Sequence, residues 1–151
     1  MSPAAPKAKA GKILVVDDNP IIQRTLYFAL RDRGYQVFMC GEISEALNLV
    51  RKEMPNLILL DINFPPDASV GGGGVRDGFW ALAWMRRMEE LKGVPIVIIS
   101  SDDPTTASPR AQAAGAAAYL HKPIAKELLT LTVAELLYEN RPPESPIPAA
   151  G

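Results

Sequence analysis

Several residues that can do chemistry stand directly at the ends of short apolar runs. Asp17-Asp18 follow KILVV, Asp61 closes NLILL, Ser100-Ser101-Asp102-Asp103 end VPIVII, and His121-Lys122-Pro123 end AAAYL. In an open parallel sheet, ligands bind beyond the carboxyl ends of the strands, so these groups could converge on one edge. Three neighbouring carboxylates repel one another unless one is protonated or a cation bridges them. All-oxygen ligation at an accessible edge suits Mg2+, which keeps several of its waters. A lysine opposite suits an added anion. Such a set can accept a phosphoryl group. Asp61 would attack, Mg2+ and Lys122 would neutralise the equatorial oxygens, and the Ser100 hydroxyl would donate to one of them, giving an aspartyl phosphate.

The elements that must position these groups are readable from the hydrophobic pattern. KILVVD (12–17), YQVFMC (35–40), NLILLD (56–61), VPIVIIS (94–100) and AAAYLH (116–121) predict five strands. Between them Ile22, Leu26, Ala29 and Leu30, and then Ile43, Ala46, Leu47 and Val50, repeat at helical spacing. Continuous rather than alternating apolar strands imply a sheet covered on both faces. The fold class is therefore α/β, a doubly wound five-stranded parallel sheet with right-handed crossovers. Asn19-Pro20 predicts the start of the first helix, and Gly34 its end after Arg33. Pro104 and Pro109 interrupt the fourth helix, which is expected to be short, with Ser108 as cap, Pro109 in its first turn and an end near Gly115.

With 151 residues, a net charge of −1, 22% charged and 48% hydrophobic residues, the chain has the composition of one globular domain. The ordered part is expected over 12–140, between an Ala/Pro/Lys tail at 1–11 and a proline-rich tail at 141–151, both disordered. No apolar run approaches the roughly 20 residues of a membrane span, and the first residues lack a signal-peptide core. The expectation is a cytoplasmic protein with no membrane partner. Near-neutral charge argues against broad nucleic-acid binding, so no DNA partner is expected. The single cysteine, Cys40, excludes an intramolecular disulfide, and the single histidine, His121, excludes a multi-histidine metal site. Cys40 reads as a small buried apolar residue, and His121 as incidental.

The order DD, D, S and KP at successive strand ends resembles the receiver domain of two-component response regulators, over essentially the whole of 12–140. The resemblance implies a flavodoxin-like (CheY-like) fold with strand order 2-1-3-4-5. Carried over by position, Asp61 resembles the phosphoacceptor, Asp18 a direct Mg2+ ligand, Asp17 a water-mediated one, and Asn63 a ligand through its backbone carbonyl. Ser100 resembles the switch hydroxyl and Tyr119 the switch aromatic. Lys122 resembles the phosphate-contacting lysine, before a proline whose preceding bond is usually cis. Asn63 and Asp102 match positions that tune hydrolysis of the acyl phosphate. The implied partners are a histidine kinase or histidine phosphotransfer protein upstream and a protein target downstream. The implied activity is limited to the domain's own phosphorylation and dephosphorylation.

The chain departs from that pattern in three places. A glycine-rich insertion lies at about 66–76, between Pro65 and Asp77-Gly78. It reads as a flexible lid or spacer controlling access to Asp61, since it lacks the pattern of a phosphate-binding loop. Trp80 and Trp84 stand at i, i+4 on the third helix. If Leu82 and Met85 face the sheet, both tryptophans point away from it as a partner surface, unless the glycine loop folds over them or the helix is rotated. On the last helix Ile124, Leu128 and Leu131 are expected to bury on the sheet. Leu129, Val133, Leu136 and Leu137 would then form a second stripe, a candidate dimer or target surface, with wide burial of the helix as the plainer reading.

The first reading is a stand-alone receiver that signals by contact, and a piece of a larger hybrid kinase is also compatible. The alternative is a phosphorylation-independent interaction module on the same fold. A small-molecule phosphatase would want an acidic residue two after the nucleophile, where Asn63 stands. A flavin-binding domain would want a hydroxyl- and glycine-rich loop where DDNP stands.

Overall fold

The computed structural model describes residues 11–62 and 78–139. All five apolar runs are strands: β1 (Lys12–Val16), β2 (Gln36–Cys40), β3 (Leu57–Asp61), β4 (Ile96–Ser100) and β5 (Ala118–His121). They pair in parallel in the order β2-β1-β3-β4-β5, the flavodoxin-like order. All but β1 begin one or two residues later than their apolar runs. Pro95 has no N–H to offer, so only its carbonyl joins the sheet, accepting from Ile58 at 3.1 Å. Five helices alternate with the strands: α1 (Pro20–Arg31), α2 (Ile43–Glu53), α3 (Gly78–Arg86), α4 (Pro104–Ala113) and α5 (Lys126–Glu139).

Alternation along each strand builds two cores. Leu14, Val16, Ile58, Leu60, Ile96 and Ile98 face α2, α3 and α4, which contribute Ala46, Val50, Leu82, Met85 and Ala111. Ile13, Val15, Leu57, Leu59, Val97 and Ile99 face α1 and α5, which contribute Leu26, Leu30, Leu129 and Val133. Burial of each such side chain contributes about 1.5–3 kcal/mol relative to exposure. It also explains why β3 and β4, inside the sheet, are apolar without interruption up to their last residues, Asp61 and Ser100.

The α1 start is as expected: the Asn19 side chain accepts from the N–H groups of Ile21 and Ile22. The helix ends at Arg31, two residues early, and Gly34 at φ 95° supplies the left-handed turn, its N–H donating to the Arg31 carbonyl at 2.8 Å.

The fourth helix corrects the sequence reading. It starts at Pro104, capped by Asp103 rather than Ser108, with Pro109 inside it. The Asp103 carboxylate accepts from the Thr105 N–H at 3.0 Å and from its hydroxyl at 2.9 Å. Pro104 sits at the first helical position, where a missing N–H costs nothing. Pro109 removes one bond further in, and burial of Ala107 and Ala111 offsets that loss.

The last helix is rotated from the expected setting. Leu129 and Val133 are 2% and 0% exposed and pack on the sheet, with Leu136 and Leu137 beside them, whereas Leu128 and Leu131 are 50% and 56% exposed. Of the stripe expected as a partner surface, Leu129 and Val133 are therefore core, and Leu136 and Leu137 are partly buried against it. The outward side carries Leu128, Leu131 and Tyr138 instead. Hydrophobic periodicity located both stripes, but which of them buries depends on the roll of α5 over β5.

Candidate functional site

β1 carries Asp17 to the sheet edge as its first residue beyond the strand. Its N–H still bonds the Cys40 carbonyl of β2 at 3.0 Å. The side chain is fully buried. One carboxylate oxygen accepts from the Asn19 N–H at 2.9 Å and the other from the Lys122 ammonium at 2.8 Å. Asp18 follows, exposed, with its backbone close against Gly41: a Cβ at that glycine would lie 3.3 Å from the Asp18 Cα. Asp61 ends β3, 3% exposed, with an oxygen 3.5 Å from the same Lys122 ammonium. One carboxylate oxygen from each of Asp17, Asp18 and Asp61 lies within 4.8 Å of the other two.

Ser100 ends β4, fully buried. Its hydroxyl oxygen accepts from the Asp102 N–H at 2.8 Å, and its carbonyl accepts from the Lys122 N–H at 2.8 Å. The serine and the lysine are thereby locked together across the β4–β5 edge. The Tyr119 hydroxyl, on half-buried β5, donates to the Asp102 carbonyl at 3.0 Å, and His121 Nε2 lies 3.3 Å from the Ser101 carbonyl. The loop after β4 is thus tied to β5 at two points. The Lys122–Pro123 bond is cis, as expected.

Among the described residues three carboxylates stand around one ammonium, with two of the three acids buried. Such an arrangement is suited to a hard divalent cation: the donors are all oxygen, close together, and open to water on the Asp18 side. Among the described residues this is the only group of acidic, histidine or cysteine side chains with that spacing. Around the site, the bonds from Thr105 hold the Asp103 carboxyl below its ordinary value. Burial, with Glu45 and Glu42 nearby, pushes the Cys40 thiol up to about 12.

Asp17, Asp18, Asp61, Ser100 and Lys122 are thus brought together as the strand-end argument requires. Asp102 and Tyr119 stand in the adjoining loop contact. Asn63, the insertion at about 66–76 and both tails lie outside the described residues. The tryptophans divide. Their rings are 5.5 Å apart, Trp80 packs against the core, and Trp84 is 45% exposed. With Leu82 and Met85 facing the sheet, the conditional expectation holds for Trp84 and only partly for Trp80. Sequence reasoning missed Gln23, whose side-chain amide reaches back from α1 to donate to the Asp17 carbonyl. The one available signal was a polar residue a helical turn after the Asn19 cap.

Comparison with known proteins agrees with this geometry. The family model for the response regulator receiver domain matches residues 13–134. Protein PilH of Pseudomonas aeruginosa is 30% identical over 126 residues, 83% of this chain and 97% of that protein. The DNA-binding response regulator MtrA of Mycolicibacterium smegmatis is 31% identical over 85% of this chain, which spans 51% of MtrA. The crystal structure of the chemotaxis response regulator CheY4 of Vibrio cholerae superimposes with a TM-score of 0.72 at 28% identity, over 84% of this chain and 98% of that one.

Proposed function

The chain belongs to the response regulator receiver domain family, and we propose that it accepts a phosphoryl group on Asp61 from a phosphohistidine of a histidine kinase or phosphotransfer protein. As a receiver it is a signalling domain rather than an enzyme acting on an external substrate. The observation that carries the proposal is the clustering of Asp17, Asp18 and Asp61 within 4.8 Å, with Lys122 bridging two of them.

An Asp61 carboxylate oxygen attacks phosphorus, the P–N bond to the donor imidazole breaks, and an acyl phosphate forms. Asp17, Asp18, Asp61 and the backbone carbonyl of Asn63 would hold Mg2+, which offsets the phosphoryl charge when bound. Lys122 shifts from balancing the carboxylates to contacting the new phosphoryl oxygens, and Ser100 donates its hydroxyl to one of them. Hydrolysis returns the free carboxylate when water attacks phosphorus and the bond to the Asp61 oxygen breaks, at a rate to which Asn63 and Asp102 would contribute. Ser100 is bonded to the Asp102 N–H and Tyr119 to the Asp102 carbonyl, so drawing Ser100 toward the phosphoryl group disturbs the Tyr119 contact too. That is the route to a changed partner surface. Among the described residues no helix is long and apolar enough to cross a membrane, in keeping with a cytoplasmic site of action.

Intact mass after incubation with acetyl phosphate tests the reading. A single phosphoryl adduct on wild type is expected, lost in Asp61→Asn and lost without Mg2+. A folded wild type that never acquires the adduct would instead favour a phosphorylation-independent interaction module.

A further inference from the structure

The peptide joining Asp17 to Asp18 is held from several sides, and one of its holders has no part in the chemistry above. On the strand side the Asp17 N–H bonds the Cys40 carbonyl at 3.0 Å. On the helix side the Gln23 side-chain amide donates to the Asp17 carbonyl. Gln23 is itself fixed, because its N–H donates to the Asn19 carbonyl at 3.0 Å and the Asn19 N–H donates to the Asp17 carboxylate at 2.9 Å. Gly41 lies against the same peptide, where a Cβ would be 3.3 Å from the Asp18 Cα and 3.7 Å from the Asp17 carbonyl oxygen.

A peptide unit is planar, so fixing its carbonyl oxygen sets ψ of the residue before it and φ of the residue after it together. Here those torsions belong to Asp17 and Asp18, and they decide where the Asp18 Cβ points. The Asp17 carboxylate has its own restraints in Lys122 and Asn19. The exposed Asp18 carboxylate depends on its backbone.

We infer that Gln23 is a positioning residue for the cation site, acting through the Asp17 carbonyl to hold the Asp18 carboxylate in ligating position. This rests on the reading of Asp17, Asp18 and Asp61 as an Mg2+ site. Without the amide donor, Asp18 samples a wider range of positions and must be ordered again when the cation binds. Affinity falls, while the nucleophile on β3 and the lysine after β5 keep their places. Groups that orient metal ligands typically account for 10–100-fold in affinity, and for one acting through a peptide the lower end, about tenfold, is expected.

The test is calorimetric titration of the full chain with Mg2+ alone, for wild type, Gln23→Met, Gln23→Ala and Asp18→Asn, alongside the acetyl phosphate reaction rate as a function of Mg2+. Both Gln23 variants should raise the Mg2+ Kd about tenfold and move the half-saturating Mg2+ of the reaction by the same factor, with the rate at saturating Mg2+ within about twofold of wild type. Metal-free melting separates this from damage to the helix, since alanine and methionine are as good helix formers as glutamine. If Gln23→Ala fails to fold, Gln23→Met decides alone. Affinities unchanged in both variants, or lost in Ala but kept in Met, overturn the inference, the second result assigning Gln23 a packing role. No saturable Mg2+ binding by wild type, or equal binding by Asp18→Asn, overturns the metal-site reading itself and this inference with it.

Discussion

Replacing Lys122 by methionine, which keeps the length of the stem and removes the charge, measures how strongly the metal-free site depends on the Lys122 ammonium. Lys122 Nζ lies 2.8 Å from an Asp17 oxygen and 3.5 Å from an Asp61 oxygen, and at an effective dielectric of about 20 these separations are worth roughly 6 and 5 kcal/mol gross. Desolvation of the groups consumes much of that. Breaking a buried pair by removing one partner costs about 3–5 kcal/mol net, because the other charge stays buried. The lysine side chain is 15% exposed, so the lower end, about 3 kcal/mol, is expected. Urea unfolding followed by circular dichroism in EDTA reads this directly. With a slope of about 2 kcal/mol per molar, the midpoint should fall by about 1.5 M at unchanged slope. Adding Asp61→Asn to Lys122→Met should recover about 1–2 kcal/mol, since it removes one of the mutually repelling carboxylates. Mg2+ should narrow the deficit of the single variant. A Lys122→Met protein within about 0.5 kcal/mol of wild type in EDTA would refute the charge-balance argument. So would a double variant weaker than the single one.

The setting of α5 predicts opposite outcomes for neighbouring apolar residues: Val133→Ala should cost about 2 kcal/mol in denaturant unfolding, and Leu131→Ala less than about 0.5. The Asp103 carboxyl lies below its ordinary value of 3.8 when folded, so its cap contributes above that pH and is lost as pH falls through the lowered value. Thermal midpoints of wild type and Asp103→Asn between pH 6 and pH 2 should therefore differ in slope only at the acid end, the wild type losing more. Cys40, buried and with its thiol pushed up to about 12, should resist iodoacetamide at pH 8 in the folded protein and react on unfolding, followed by mass. Rapid native labelling would contradict the packing of β2 against α2.

How much of this could be read from the chain itself differs from element to element. Asp17-Asp18, Asp61, Ser100 and Lys122 were identifiable because each stands at the end of an apolar run, and strand and strand-end are local properties of the sequence. The helices α1 and α2 were identifiable for a similar reason: Leu26, Ala29 and Leu30, and Ile43, Ala46 and Val50, keep one face at helical spacing and are all buried. The start of α4 was misread because two prolines and two capping residues, Asp103 and Ser108, offered competing starts. What separated them was the burial of Ala107 and Ala111, which depends on where β4 and β5 lie.

The sequence alone therefore determined the parallel doubly wound fold, the group of side chains at the sheet edge and the chemistry those side chains allow. It could do so because apolar continuity along a strand and polarity at its end do not depend on distant neighbours. Only the tertiary structure decided which stripe of α5 is core, that Trp80 packs inward while Trp84 stays open, that Lys122 pairs with both Asp17 and Asp61, and that Gln23 donates to the Asp17 carbonyl. All but the last depend on how elements far apart in sequence roll and meet, and a hydrophobic pattern with two apolar stripes on one helix is satisfied by either roll; the Gln23 contact is local and depends on how α1 turns back on the end of β1.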